Sequence, residues 1–126
     1  MSDKWRDVPI PRTAVYLLDD QHQPVRAIIS TVGQFFDWSE RWNQQRSILH
    51  EEVAPGLFVS TIFLGIDHSY SIDPDHTPLL FETMVFNDYE AGDQWRYHTY
   101  DEAVAGHAAV VEMIRARITA SGGVTQ

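Results

Sequence analysis

Residues 57–66 read LFVSTIFLGI, and residues 79–86 read LLFETMVF. Both runs are rich in β-branched and aromatic residues and have the length of a strand, so we predict that each forms a buried β-strand. Residues 47–53 precede the first run across an Ala-Pro-Gly turn, and residues 94–99 follow the second. Four strands in series with mostly short connections favour antiparallel order, so this stretch predicts a meander.

A helix is predicted directly after the meander. Thr99 and Glu102 have the spacing of a capping box, in which each side chain bonds to the backbone N–H of the other residue. Apolar residues then recur at helical spacing until Gly122 and Gly123 end the pattern. The predicted inner face of this helix is Tyr100, Val104, His107, Ala108, Val111, Ile114 or Arg115, and Ile118.

A second helix is predicted over residues 34–46. Its large rings recur at spacings of three and four residues and are Phe35, Trp38 and Trp42. Such spacing places the rings on one face, which we interpret as core packing rather than a ligand-stacking surface. Either Thr31 with Gln34 or Asp37 with Glu40 supplies a capping box.

The remaining segments complete a single α+β domain over residues 1–126. Residues 1–12 are predicted to form a loosely held arm, and residues 120–126 a frayed tail. A short strand at 14–18 is followed by turn residues and pairs with a second strand at 25–29. The predicted architecture is a four- or five-stranded, largely antiparallel sheet with the C-terminal helix on one face and the aromatic helix beside it.

Composition excludes several classes of function. The 126 residues contain no cysteine, which rules out disulfides and thiolate catalysis and fits a cytoplasmic protein. No apolar run approaches the roughly 20 residues that span a bilayer. The net charge of −9 argues against nucleic acid as the partner, because such binding depends on Lys and Arg. An acidic protein instead suits a basic partner surface, or imitates nucleic acid, although solubility alone also accounts for the charge.

Several polar residues form a candidate site. Asp67 and His68 end the first long strand, and the connection after them contains His76. With Glu82 and His107 they supply enough nitrogen and oxygen ligands for zinc or non-haem iron. Their spacing matches no metal motif, so Asp67, His68 and His76 remain weak metal candidates and no cofactor is predicted.

Glu82 is the sharpest of these observations, since it interrupts an apolar strand. If even-numbered positions face each other, Arg96 on the neighbouring strand is its cross-strand partner. If the register is shifted by one, Glu82 instead shares its face with Trp95, Tyr97 and Thr99. We favour a structural ion pair over a general acid or base, because structural pairs also occupy such positions.

His107 is expected to face the sheet as a hydrogen-bonded core residue. A sharper hypothesis makes His107 and Glu82 a catalytic His–carboxylate dyad beside Asp67 and His68. The nucleophile options are thin, because none of the remaining candidates lies in a G-x-S-x-G elbow; these are Ser60, Thr61, Ser69 and Ser71.

A resemblance to other proteins rests on three parts of the sequence: FETMVF (residues 81–86), WRY (residues 95–97) and the glycine–histidine pair at 106–107. Over residues 14–118 the chain resembles a group of small uncharacterised proteins of bacteria and bacteriophages. The resemblance implies a bacterial or phage setting and, by analogy, binding to a host protein. It implies no activity, cofactor or catalytic residue.

Three functions follow as hypotheses. The first is a non-catalytic binding protein with a protein partner, and an exposed sheet edge would also suit a homodimer. The second is a metal- or acid/base-dependent enzyme acting on a small substrate through Asp67, His68, Glu82 and His107. The third is a protein that sequesters an anion or nucleotide. Its candidate ligand-binding residues are Arg96, Tyr97 and Trp95.

Overall fold

The computed structural model describes residues 3–69, 71, 73, 75–87 and 91–122. The elements in chain order are a short 3-10 helix (Lys4–Asp7), β1 (Pro9–Leu18), β2 (Pro24–Thr31), α1 (Val32–Gln45), β3 (Ser47–Ala54), β4 (Leu57–Phe63), β5 (Phe81–Asn87), β6 (Ala91–Tyr97) and α2 (Tyr100–Ala120).

The strands form two antiparallel sheets, so the α+β prediction is confirmed. The meander is a four-stranded sheet in the order β3-β4-β5-β6, and β1 and β2 form a separate hairpin rather than a fifth strand of that sheet. The turn between β3 and β4 places Gly56 at φ 73°, a left-handed conformation that glycine adopts without strain. β3 is irregular at both ends, with register shifts between Ser47 and Leu49 and between Glu52 and Ala54.

α2 covers one face of the four-stranded sheet. Its N-terminus is the predicted capping box, with Thr99 and Glu102 bonded to each other's backbone. Its buried residues are Ala103, His107, Val110 and Val111. The two valines pack against Val59 of β4 and Val85 of β5, and burying each valine side chain contributes roughly 1.5–3 kcal/mol.

The predicted inner face of α2 is wrong by about one residue, or 100°, at Val104, and Ala108, also predicted inside, is exposed. Val104, expected inside, is 38% exposed, whereas Ala103 is fully buried. Ala103 packs with Phe63 and Phe81 in one buried cluster, so the start of the helix is fixed by its contact with these two rings. His107 and Val111 hold the positions that the sequence predicted.

α1 packs against the hairpin. Thr31 is its N-cap and accepts a hydrogen bond from the Gln34 N–H, so the first of the two capping alternatives is present. The Trp38 and Trp42 rings stack at 5.6 Å, and their indole N–H groups donate to the carbonyls of Tyr16 and Phe63. Phe35 is 40% exposed, so the aromatic stripe is core at two of its three positions.

The N-terminal segment differs from the loosely held arm that we expected. Residues 4–7 form the 3-10 helix, and β1 already begins at Pro9, where it pairs with Thr31. The Val32 N–H also donates to the Val8 carbonyl, which ties the segment to the start of α1. α2 ends at Ala120, and residues 123–126 of the predicted tail lie outside the described residues. Neither described helix has the length and apolar character needed to cross a membrane.

A substitution at Gly65 tests whether the Trp38 and Trp42 rings pack closely against this residue. It has φ +75°, and a Cβ atom there would lie 2.5 Å from Trp42 and 2.8 Å from Trp38. We expect Gly65→Ala to lower the free energy of unfolding by about 2–4 kcal/mol, since it adds left-handed strain to overpacking.

Gly122→Ala is the matched control, because φ there is +97° and no atom lies within 4 Å of the added Cβ. Its cost is expected to be about 1 kcal/mol, from backbone strain alone. Urea denaturation of both variants measures the difference. Equal losses would show that the indoles do not constrain Gly65.

Candidate functional site

A chain of buried hydrogen bonds links α2 to three strands. The Thr83 hydroxyl of β5 lies 2.5 Å from the Thr61 hydroxyl of β4, which lies 2.7 Å from His107 Nδ1. His107 Nε2 lies 2.8 Å from Glu51 Oε1 of β3. Thr61 and Thr83 are fully buried and His107 is 2% exposed, so water does not compete for the two bonds among them. The Glu51 carboxylate at the end of the chain is 41% exposed.

The chemistry of the four groups sets the direction of the chain. The Glu51 carboxylate only accepts, so His107 donates from Nε2. When the ring is neutral and carries its proton on Nε2, Nδ1 is an acceptor and receives the Thr61 hydroxyl proton. The Thr83 hydroxyl then donates to the Thr61 oxygen. Each member is satisfied, and no buried side-chain nitrogen or oxygen among the described residues lacks a hydrogen-bond partner.

The chain ends at a groove between β3 and α2. The groove has a volume of about 430 Å³ and is lined by Leu49, Glu51, Val104, His107, Ala108, Val111, Glu112 and Arg115. Leu49 is 36% exposed and Val104 38% exposed, so apolar surface is open to water here. The second oxygen of Glu51 lies 3.6 Å from Arg115 Nη2, an exposed pair that adds little stability.

Glu82 lies on the other face of the sheet. The structure has the even register, with Glu82 opposite Arg96 and the two side chains joined at 3.0 Å. The neighbouring residue Thr83 points to α2 and His107, so Glu82 points away from them. The hypothesis of a His107–Glu82 dyad is therefore wrong. The carboxylate partner of His107 is Glu51.

The three candidate ligand-binding residues also lie on opposite faces of the sheet. Trp95 and Tyr97 line a pocket of about 230 Å³ on the α2 side, together with Gly106 and Met113. Arg96 points to the opposite face, where it bonds to Glu82. A Cβ atom on Gly106 would lie 2.3 Å from the Tyr97 ring, so the glycine permits this close contact. The three residues do not form a single anion site.

Asp67 and His76 bond to each other within the connection between β4 and β5. His76 also bonds through Nδ1 to the Asp73 carbonyl, so both ring nitrogens face acceptors. The hydrogen bond with Asp67 raises the pKa of His76, and the Asp73 carbonyl adds to this effect. Burial opposes ionisation of Asp67, but the bonds from His76 and from the Ser69 and Leu79 N–H groups outweigh it and hold the pKa of Asp67 well below its usual range.

The remaining metal candidate, His68, donates its backbone N–H to the Leu79 carbonyl. Among the described residues, no three His, Asp or Glu side chains are grouped so that they could hold a metal ion. The candidate site that the sequence suggested is therefore dispersed: Asp67 is bound within its own loop, and Glu82 and His107 face opposite ways.

Comparison with protein-family models, with curated proteins and with solved structures finds no match to this chain.

Glu51 is the site residue that the sequence analysis missed. It alternates with Leu49 and Val53 along β3, and all three share the face that meets α2. A carboxylate flanked at i−2 and i+2 by apolar residues was the available signal. The adjacent Glu52 concealed it, because two consecutive acidic residues in a strand leave open which of them faces the core.

The direction of the hydrogen-bond chain predicts unequal costs for two similar substitutions. Thr61→Val removes the donor to His107 and leaves buried polar groups unpaired, so we expect a loss of about 1–3 kcal/mol in the free energy of unfolding. Thr83→Val leaves the Thr61–His107 bond intact and is expected to cost less than about 1 kcal/mol. Urea denaturation compares the two. A larger loss for Thr83→Val would contradict this account of the chain.

The Asp67–His76 pair predicts a pH-dependent contribution to stability. His76 has a raised pKa, so its contribution is complete below about pH 6.5 and is lost as the pH rises through the folded-state value. Asp67 has a lowered pKa, so its contribution is present above about pH 4 and is lost on acidification. The difference in unfolding free energy between the wild type and His76→Asn should therefore be largest between about pH 4 and 6.5. A difference independent of pH from 5 to 9 would contradict the pairing.

Proposed function

We propose that the protein is a small, non-catalytic binding protein, and that the groove between β3 and α2 receives a protein partner with a basic surface. One observation carries this proposal: the groove exposes apolar side chains to water, while the buried polar side chain that lines it is fully hydrogen-bonded. Leu49 and Val104 are exposed, while His107 beneath them has both nitrogens engaged. A histidine held in this way supports the groove but has no free nitrogen for a substrate.

Charge supports a basic partner. The chain carries a net charge of −9. Glu51 and Glu112 line the groove, and Glu52 follows on the same strand, whereas Arg115 is the single basic residue among the lining residues. Complementary charge speeds association and selects partners more than it adds affinity. The bacterial or phage setting implied by the sequence resemblance makes bacterial proteins the class to search.

The other two hypotheses are less well supported. Catalysis by Asp67, His68, Glu82 and His107 requires groups that converge, and Glu82 and His107 lie on opposite faces of the sheet. Sequestration of a small ligand is favoured by one observation, the pocket that Trp95 lines with its apolar neighbours. That lining suits an apolar molecule rather than an anion.

The test is retention of proteins from a bacterial lysate on the immobilised protein over a series of salt concentrations. Leu49→Lys with Val104→Lys places two cations in the groove and should reduce retention about tenfold, because it removes apolar contacts and repels a basic partner. The wild type should release its partner progressively as salt increases.

The control variant is Val25→Lys with Ile28→Lys. These residues are 53% and 38% exposed on the hairpin, so the same change in charge is made away from the groove. It should retain the partner as well as the wild type does. Retention that is lost equally in both variants, or that is independent of salt, contradicts the proposal.

A further inference from the structure

The backbone of β3 is a free sheet edge beside the groove. In the order β3-β4-β5-β6, β4 is the only strand among the described residues that is hydrogen-bonded to β3. The register is regular from Leu49 to Glu52, between the two irregularities. Every second residue of an edge strand directs its N–H and C=O outward, where another strand can pair with them.

The groove has the dimensions of a short strand. Its lining residues on α2 run from Val104 to Arg115. At 1.5 Å per residue this stripe is roughly 16 Å long, which corresponds to about five residues of extended chain. A strand added to β3 would direct alternate side chains over Leu49 and towards Val104, and the side chains between them to the face of Glu52.

Charge selects the occupant of this edge. Glu51 and Glu112 line the groove with Arg115, and the two oxygens of Glu51 are divided between His107 and Arg115. Glu52 points to the opposite face of the sheet, where it accepts a hydrogen bond from the Gly56 N–H. A second copy of the chain would bring the same glutamates and a further net charge of −9 to the edge, so like charges oppose self-pairing. Lys or Arg opposite Glu52 forms a favourable cross-strand pair.

The opposite edge of the sheet, β6, has no excess of acidic residues that would favour a basic strand. β6 contains one acidic residue, Asp93, and one basic residue, Arg96, so it carries no net charge. Arg96 is also bonded to Glu82.

We propose that the partner binds as an extended segment of alternating apolar and basic residues, which adds to β3 as a fifth strand of the sheet. Its apolar side chains enter the groove at Leu49 and Val104, and its basic side chains meet Glu52 on the opposite face of the sheet. The inference rests on the proposed function and specifies how that same groove is occupied.

The probe is a fluorescein-labelled nonapeptide of alternating Val and Lys, titrated by anisotropy against the full chain. The wild type and Val25→Lys with Ile28→Lys should bind it with equal Kd. Leu49→Lys with Val104→Lys should weaken binding at least tenfold, and Glu52→Gln should weaken it about threefold. A peptide with Glu in place of Lys should not bind at 1 mM.

Two N-methylated versions test for backbone pairing. One carries methyl groups on every Val nitrogen and the other on every Lys nitrogen. An added strand pairs with β3 through one of its two edges, and the N–H groups at that edge belong either to the Val residues or to the Lys residues. One version should therefore lose binding more than tenfold, and the other should retain it. Equal Kd values for the two versions would overturn strand addition.

The outcomes separate this inference from the proposed function. If the alternating peptide fails to bind while lysate retention still depends on the groove, the extended mode is overturned and the binding function stands. If lysate retention is independent of the groove, both fall. A dimer in light scattering that Leu49→Lys with Val104→Lys abolishes would identify a second copy as the occupant and overturn the inference.

Discussion

The hydrogen bonds from Thr83 through Thr61 and His107 to Glu51 are the constraint on which the rest of the domain depends. They connect three adjacent strands to one helix through three buried side chains, Thr83, Thr61 and His107, and end at the partly exposed carboxylate of Glu51. A buried polar group costs free energy unless it is paired, so these residues fix the helix in rotation and translation more narrowly than apolar packing alone does. With His107 turned inward, Val104 and Ala108 lie at the border of the sheet and form one wall of the groove.

The sheet also separates the polar groups by face. Thr83 and Glu82 are adjacent on β5, yet one belongs to the chain under α2 and the other bonds to Arg96 on the opposite side. Asp67 is held by the loop that follows it. Groups that are paired in three separate places do not meet around one substrate, which is the reason that we propose binding rather than catalysis by these residues.

Much of the fold follows from local sequence. The capping box at Thr99 and Glu102 and the antiparallel meander depend on residues close in the chain, and the structure contains both. Strand parity limits the Glu82 register to two alternatives, and the structure has the one that pairs Glu82 with Arg96. The rotation of α2 could not be predicted at its start, because it depends on the space left by Phe63 and Phe81.

The partner of His107 was also out of reach. Glu51 is separated from it by 56 residues, and the irregularities in β3 obscure which face each residue occupies. The alternation of side chains along a strand shows which residues share a face. It does not show which residue of another strand or helix lies opposite them. Long-range pairing of this kind depends on register, which single-sequence patterns leave open.

The most direct test of the account is the nitrogen NMR spectrum of the His107 ring at neutral pH. The hydrogen-bond chain predicts a single neutral tautomer, protonated at Nε2, with Nδ1 as an acceptor. A ring that is protonated at Nδ1, or that averages between the two tautomers, would contradict the claim that Glu51 and Thr61 hold His107 in place.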